Sequence, residues 1–311
     1  MSCRRLYAMP IQAILILAAS HAHAAGPISD ASDILGINLT MTSAQARAAI
    51  SSQFPGAKII DLPVQLATPD YKQSASAGFM ADITSAEDRT NNQQTSQQAM
   101  KEIQARRAAG LGGSVLDMPV TSPGTFGHDQ IHVQVDPNEN RTDIFGVSRY
   151  KEFPSSHPVP VDALLQDFVG KYGRPSVTKY GASFTWMAPG VAEKTRRPPV
   201  HCTLESESDS YLYENPQSTP QSIGLSFVTA VNNINAGDTT PYYNISKCGT
   251  VLQLSIGLSN NRQYAISMKV VLIDLTKARA ELKQFAANFF VHANAAKREK
   301  LMKDSQNKPR L

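Results

Sequence analysis

The sequence predicts an α+β fold: antiparallel sheet with helices packed on one face, and a long helix near the C-terminal end. Three observations lead there. Apolar residues alternate with period two in several short runs, they recur at spacings of three and four in longer runs, and the two patterns follow one another in mixed order.

A leader precedes this pattern. Arg4 and Arg5 give a positive start, residues 11–19 form a short apolar core, and Ala22-His23-Ala24 is a small-x-small cleavage pattern. The core is shorter than the roughly 20 apolar residues that cross a bilayer. Residues 1–24 are therefore expected to be a cleaved secretory signal, and the mature protein periplasmic or secreted. No cysteine follows the apolar core, so no lipid anchor is expected there, and charges or polar residues break every later apolar run.

The first helix is expected after Thr42, a capping residue with Gln45 three positions on and Met41 placed as a hydrophobic staple. Ala46, Ala49, Ile50 and Phe54 share one face, and Phe54-Pro55-Gly56 stops the helix. An extended segment starts at Ala57. Residues 84–107 are polar and rich in Gln and Asn, and suit either an exposed helix around Met100 and Ile103 or a disordered spacer. Strand-like runs follow at 131–135 and 144–150, joined by a turn at 136–140.

The plan then recurs. Val161, Leu164, Leu165, Phe168, Val169 and Tyr172 mark a helix ended by Gly173, and Pro175 introduces a strand over 177–186. Further strands are expected at 223–231, 251–258 and 264–275, with a hairpin turn at Asn260-Asn261. Leu275, Ala278, Leu282, Phe285, Phe289 and Ala293 then form the stripe of the long helix. This gives an N-terminal half over 25–155 and a C-terminal half over 156–296, related in pattern and not in residue identity. Residues 297–311 hold six basic residues against two acidic ones and are expected to fray into a basic tail able to touch anionic surfaces or an acidic partner.

A formal charge of +4 over 311 residues points to neither nucleic acid nor a strongly acidic partner. Once Cys3 leaves with the signal, Cys202 and Cys248 remain as a pair in an oxidising compartment, and a disulfide between them is expected. Closing such a loop is worth about 4 kcal/mol in the chain-entropy account.

Residues 35–54 open with Leu35-Gly36-Ile37-Asn38-Leu39-Thr40-Met41-Thr42-Ser43-Ala44-Gln45-Ala46, which resembles the start of exported SmpA/OmlA and beta-lactamase-inhibitor-protein-like α+β modules. The resemblance implies helices on one face of an antiparallel sheet and protein binding without catalysis. Thr40 stands where that pattern usually has Gly, and the lipidated Cys of the SmpA/OmlA proteins is missing.

Familiar chemistries are mostly excluded. G-x-S-x-G, P-loop, H-E-x-x-H and G-x-G-x-x-G strings are all missing. The S-x-x-K string at Ser176 enters a strand and lacks its companion motifs. His128 and His132 on one strand stand roughly 13 Å apart, too far to share an ion. Asp136, Asn138 and Asn140 begin like a calcium loop, but Arg141 replaces the required Gly, so a turn is expected. No catalytic residue, metal or cofactor is assigned. Tyr211, Tyr213, Tyr242 and Tyr243, all inside the loop closed by the cysteines, form a candidate contact surface, or else structural packing under it. Two functions stand: a non-catalytic exported protein that binds another protein or an envelope component, and an exported hydrolase using His157 or His201 with Glu205, Glu207 or Asp209.

Overall fold

A computed structural model of the chain describes residues 28–110, 128–138, 141–154, 158–188, 220–235 and 248–306. The signal segment, Cys202, the four loop tyrosines, His157, His201, Glu205, Glu207 and Asp209 lie outside the described residues, as do residues 307–311.

The chain enters through a small hairpin, β1 (Asp33–Ile34) and β2 (Ile37–Asn38). Its two-residue turn has positive φ at Leu35 (54°) and Gly36 (77°), the geometry that matches the twist of paired strands. Helix α1 (Ser43–Gln53) carries the expected capping box: the Gln45 amide donates to the Thr42 hydroxyl, and the Thr42 amide donates to the Gln45 side-chain oxygen at 2.8 Å. Strands β3 (Lys58–Thr68) and β4 (Tyr71–Asp82), helix α2 (Ala86–Ala108), and strands β5 (Asp129–Val135) and β6 (Ile144–Glu152) complete the first half. The polar stretch is thus a helix. Ser85 caps it, Glu87 and Asp88 sit in its first turn and Arg106 and Arg107 in its last, which suits the helix dipole, and Ile103 is its buried anchor.

The second half runs β7 (Val159–Pro160), α3 (Val161–Tyr172), β8 (Val177–Lys179), β9 (Ser183–Met187), α4 (Pro220–Asn235), β10 (Thr250–Leu258), β11 (Tyr264–Asp274) and α5 (Leu275–Gln306). The expected strand over 177–186 is two short strands, because Tyr180 and Gly181 both take positive φ and turn the chain back. The expected strand over 223–231 is instead helix α4. Its buried residues Ile223, Phe227, Ala230 and Val231 fall at helical spacing, so packing overrides the β-propensity of Ile and Val in this segment.

Among the described residues, all strands but β1 and β2 join one antiparallel sheet of nine, in the order β3-β4-β5-β6-β11-β10-β9-β8, with β7 added beside β11. Each half is a run of four neighbouring strands, and the runs meet where β6 pairs with β11 from Gly146↔Ile273 to Glu152↔Ser267. Gly78 (φ 113°) permits the closest approach in the sheet: a Cβ there would sit 1.9 Å from the Val133 carbonyl oxygen.

Helices α1 and α3 pack on one face as expected, burying Ala46, Ile50, Leu164 and Tyr172 against Phe79, Val133, Leu252 and Leu272. A second layer differs from that expectation. Helices α4 and α5 cover the opposite face, where Phe227, Phe285 and Phe289 meet Leu62, Val64, Phe145 and Ile273. The reason lies in the strands: β10 and the end of β11 are buried at consecutive positions, which requires cover on both sides. All six residues of the expected α5 stripe are buried. The helix does not fray at Lys297 but runs to Gln306, and Lys300 reaches Asp70 at 2.8 Å in the β3–β4 turn.

Candidate functional site

A two-part groove lies on the α1/α3 face. It forms where the β1–β2 hairpin and α3 leave the lower ends of β5, β6 and β11 uncovered. One part is a mainly apolar cavity of about 160 Å³, lined by Ile34, Leu35, Phe168, Met268 and Val270, with Arg149, Lys171 and Asp167 at its polar side. The other is a polar cleft of about 380 Å³ against the start of α2, whose lining includes Ser85, Glu87, Asp88, His128, Lys151 and Glu152.

A charge cluster separates the two. Strand pairing sets Asp129 opposite Lys151 and Ile131 opposite Arg149, which places Arg149 diagonally across from Asp129 on the same face. Arg149 grips Asp129 in a two-pronged contact, Nε to Oδ1 at 2.8 Å and Nη2 to Oδ2 at 2.6 Å, and Lys151 Nζ stands 3.7 Å from Oδ2. Arg149 lines the cavity and Asp129 lines the cleft, so one ion pair is the wall between them. On the far side, Lys171 Nζ donates to Asp33 Oδ1 at 2.9 Å and to the Asp33 carbonyl oxygen at 3.1 Å, and the Tyr172 hydroxyl donates to the same carbonyl. These bonds tie the hairpin to α3 and fix Leu35 over the cavity.

Local electrostatics follow from this packing. Burial works against the Lys171 cation, but Asp33 and the adjacent Tyr172 outweigh it, so the ammonium is held above its ordinary range. Burial raises the Tyr172 phenol against the opposing pull of Lys171. Both groups stay in their usual neutral-pH forms. Phe168, Tyr172 and Trp186 pack as tilted rings with centroids 5.8 to 6.2 Å apart behind the cavity, and Trp186 Nε1 donates to the Gly173 carbonyl at 2.8 Å, which anchors this wall.

The sequence-assigned residues are distributed differently. Cys248 is buried beside α5, while Cys202, its expected partner, and Tyr211, Tyr213, Tyr242 and Tyr243 lie outside the described residues. His128 opens onto the polar cleft. His132, four residues on, is buried under the opposite face, so the two do not converge. Among the described residues no group of three His, Cys, Asp or Glu side chains is placed to hold a metal. Of the expected 136–140 turn, residues 139 and 140 lie outside the described residues; on either side of them Asp136 accepts from the Asn138 amide at 2.9 Å and from Arg141 at 3.2 Å.

Sequence reasoning passed over Asp33, Asp129, Arg149, Lys151 and Lys171. The strand residues did leave a trace: Asp129, Arg149 and Lys151 occupy core-facing positions of period-two runs that otherwise hold Ile131 and Val147. Comparison with protein-family models, characterised proteins and solved structures finds no match to the chain.

Proposed function

We propose that this is an exported, non-catalytic α+β protein that binds another protein or a cell-envelope component through the groove on its α1/α3 face. The observation that carries this reading is the charge arrangement. The ionisable groups of the groove centre are paired with each other, Arg149 with Asp129 and Lys171 with Asp33, which suits a shaped recognition surface held rigid by its own contacts. The leader-like residues 1–24, the expected Cys202–Cys248 bridge and the resemblance of residues 35–54 to exported binding modules support the same reading.

A second reading, an exported hydrolase, draws on the polar cleft, where His128 shares a lining with Glu87, Asp88 and Glu152. One experiment separates them. A photo-crosslinking residue placed at Asp167, beside the cavity, in the exporting cell should trap a discrete envelope or protein adduct. The same probe at Tyr180, exposed and part of neither cavity's lining, should trap none. The trapped chain should begin at Ala25 or Gly26. Equal labelling from both positions, or ester or glycoside hydrolysis abolished by His128→Gln, would overturn the binding reading.

A further inference from the structure

Helix α5 has two faces of different character. Its inward stripe, Leu275 through Ala293, is consumed by the core. The outward side of its first turns is polar, with Lys277, Gln284 and Asn288. From Val291 onward it changes: Val291, Ala295 and Met302 lie within about 40° of one another around the axis at 3.6 residues per turn, and Leu301 extends the stripe to one side, beyond Asn294. Val291, Leu301 and Met302 are 65 %, 59 % and 60 % exposed. This stripe points away from the side on which Lys300 is held by Asp70, so it faces solvent while the helix stays docked.

The basic residues border that stripe. Arg298 lies within it and Lys297 on one flank, while on the other flank Glu299 stands between the stripe and Lys303; Glu299 and Asp304 are the two acids between Val291 and Gln306. Lys303 is paired with Glu299 at 2.6 Å, whereas Lys297 and Arg298 have no acidic partner among the described residues. Lys308 and Arg310 follow in the sequence. Long basic side chains beside an exposed apolar stripe set their stems on hydrocarbon and their charges at anionic headgroups.

We propose that the outward face of α5 from Val291 to Gln306 docks in the plane of an anionic lipid surface. A second copy of the chain fits this face less well, because pairing two such stripes would bury the Arg298 guanidinium of each copy in an apolar contact with no acidic partner. A membrane rich in anionic headgroups answers both the stripe and its charge. The inference is independent of what the groove binds.

Sedimentation of the purified protein with vesicles tests it. With phosphatidylcholine vesicles containing one-third phosphatidylglycerol, binding should be at least tenfold tighter than with phosphatidylcholine alone, and should weaken steeply between low and physiological salt. The double variants Leu301→Ser/Met302→Ser and Lys297→Glu/Arg298→Glu, all at exposed positions, should each weaken it at least fivefold while leaving the melting temperature unchanged. Binding that ignores lipid charge, or is untouched by either variant, overturns the proposal. So does a concentration-dependent dimer, seen by ultracentrifugation, that Met302→Asp abolishes.

Discussion

The two halves of the sheet use one order of elements for unequal work. In the first, a helix precedes two strand pairs with α2 between them; in the second, α3 precedes two pairs with α4 between them. The first strand pair is long in the first half, 11 and 12 residues in β3 and β4, and short in the second, 3 and 5 in β8 and β9. The inserted helices invert that ranking. Helix α2 is mainly polar and buries Ile103, while α4 buries Ile223, Phe227, Ala230 and Val231, and a Cβ added at Gly224 would stand 3.8 Å from Val64 of β3. Helices α4 and α5 belong to the second half by sequence, yet in space they cover β3, β4 and β6 of the first half as well as β10 and β11 of their own. Repetition of an element order does not make each repeat self-sufficient, because here one lends its apolar helices to the other.

The sharpest way to break this comparison is Phe285→Ala. Phe285 is 1 % exposed and its ring centroid lies 5.7 Å from that of Phe227, so truncation should cost about 3–5 kcal/mol. Denaturant unfolding followed by fluorescence of Trp186, in the second half, and by hydrogen exchange of β4, in the first, should show both transitions moving together. A shift in one probe alone would mean that the halves stand independently.

A smaller effect should separate the halves by pH. His132 in β5 is 1 % exposed, its Nε2 has no hydrogen-bond partner among the described residues, and its pKa is lowered to about 4. Burial is the main cause, Lys269 adds to it, and a hydrogen bond to the Ala77 backbone opposes it. The unfolded chain, with a histidine near the ordinary value of 6.5, takes up the proton first as pH falls. Stability is therefore full above pH 6.5 and declines towards pH 4, by up to about 3 kcal/mol. Strand β10 of the second half has uncharged Gln253 and Ser255 on the same sheet face. Amides of β5 should lose protection at pH 5 before those of β10, and His132→Phe should flatten the slope; equal loss in both strands would show that the asymmetry lies elsewhere.

The smallest effect is expected from ending the chain after Ala296. Every residue beyond it is exposed among those described, and its contact with the sheet is the surface pair of Lys300 with Asp70. The melting temperature should move by less than about 2 °C. A larger drop would make the distal helix part of the cover that the second half lends to the first.

The residues that announced the fold were those with one job. Thr42 and Gln45 cap, Leu282 and Phe285 fill the core, and each shows its role at fixed spacing. Residues with two partners were harder to read. The 223–231 run is rich enough in β-branched and aromatic side chains to pass for a strand, and its helical spacing decides only once the face of β3 and β4 is there to receive it. The groove was less legible still. Asp129 and Arg149 are adjacent through strand register, and Asp33 and Lys171 through the seating of a hairpin on a helix 138 residues away. Neither adjacency has a local sequence signal, whereas a charge on an inward strand position does, and that was the mark to follow.

An open array of antiparallel strands ends in two rows of backbone donors and acceptors, each a template on which another chain could polymerise. Here β3 is interrupted by Pro63, which has no amide to offer, and by a register shift between Asp61 and Pro63 that bends the rim. At the other end β8 is three residues long and closes on Lys179. The protein thus keeps a broad sheet without presenting a straight rim for fibril growth.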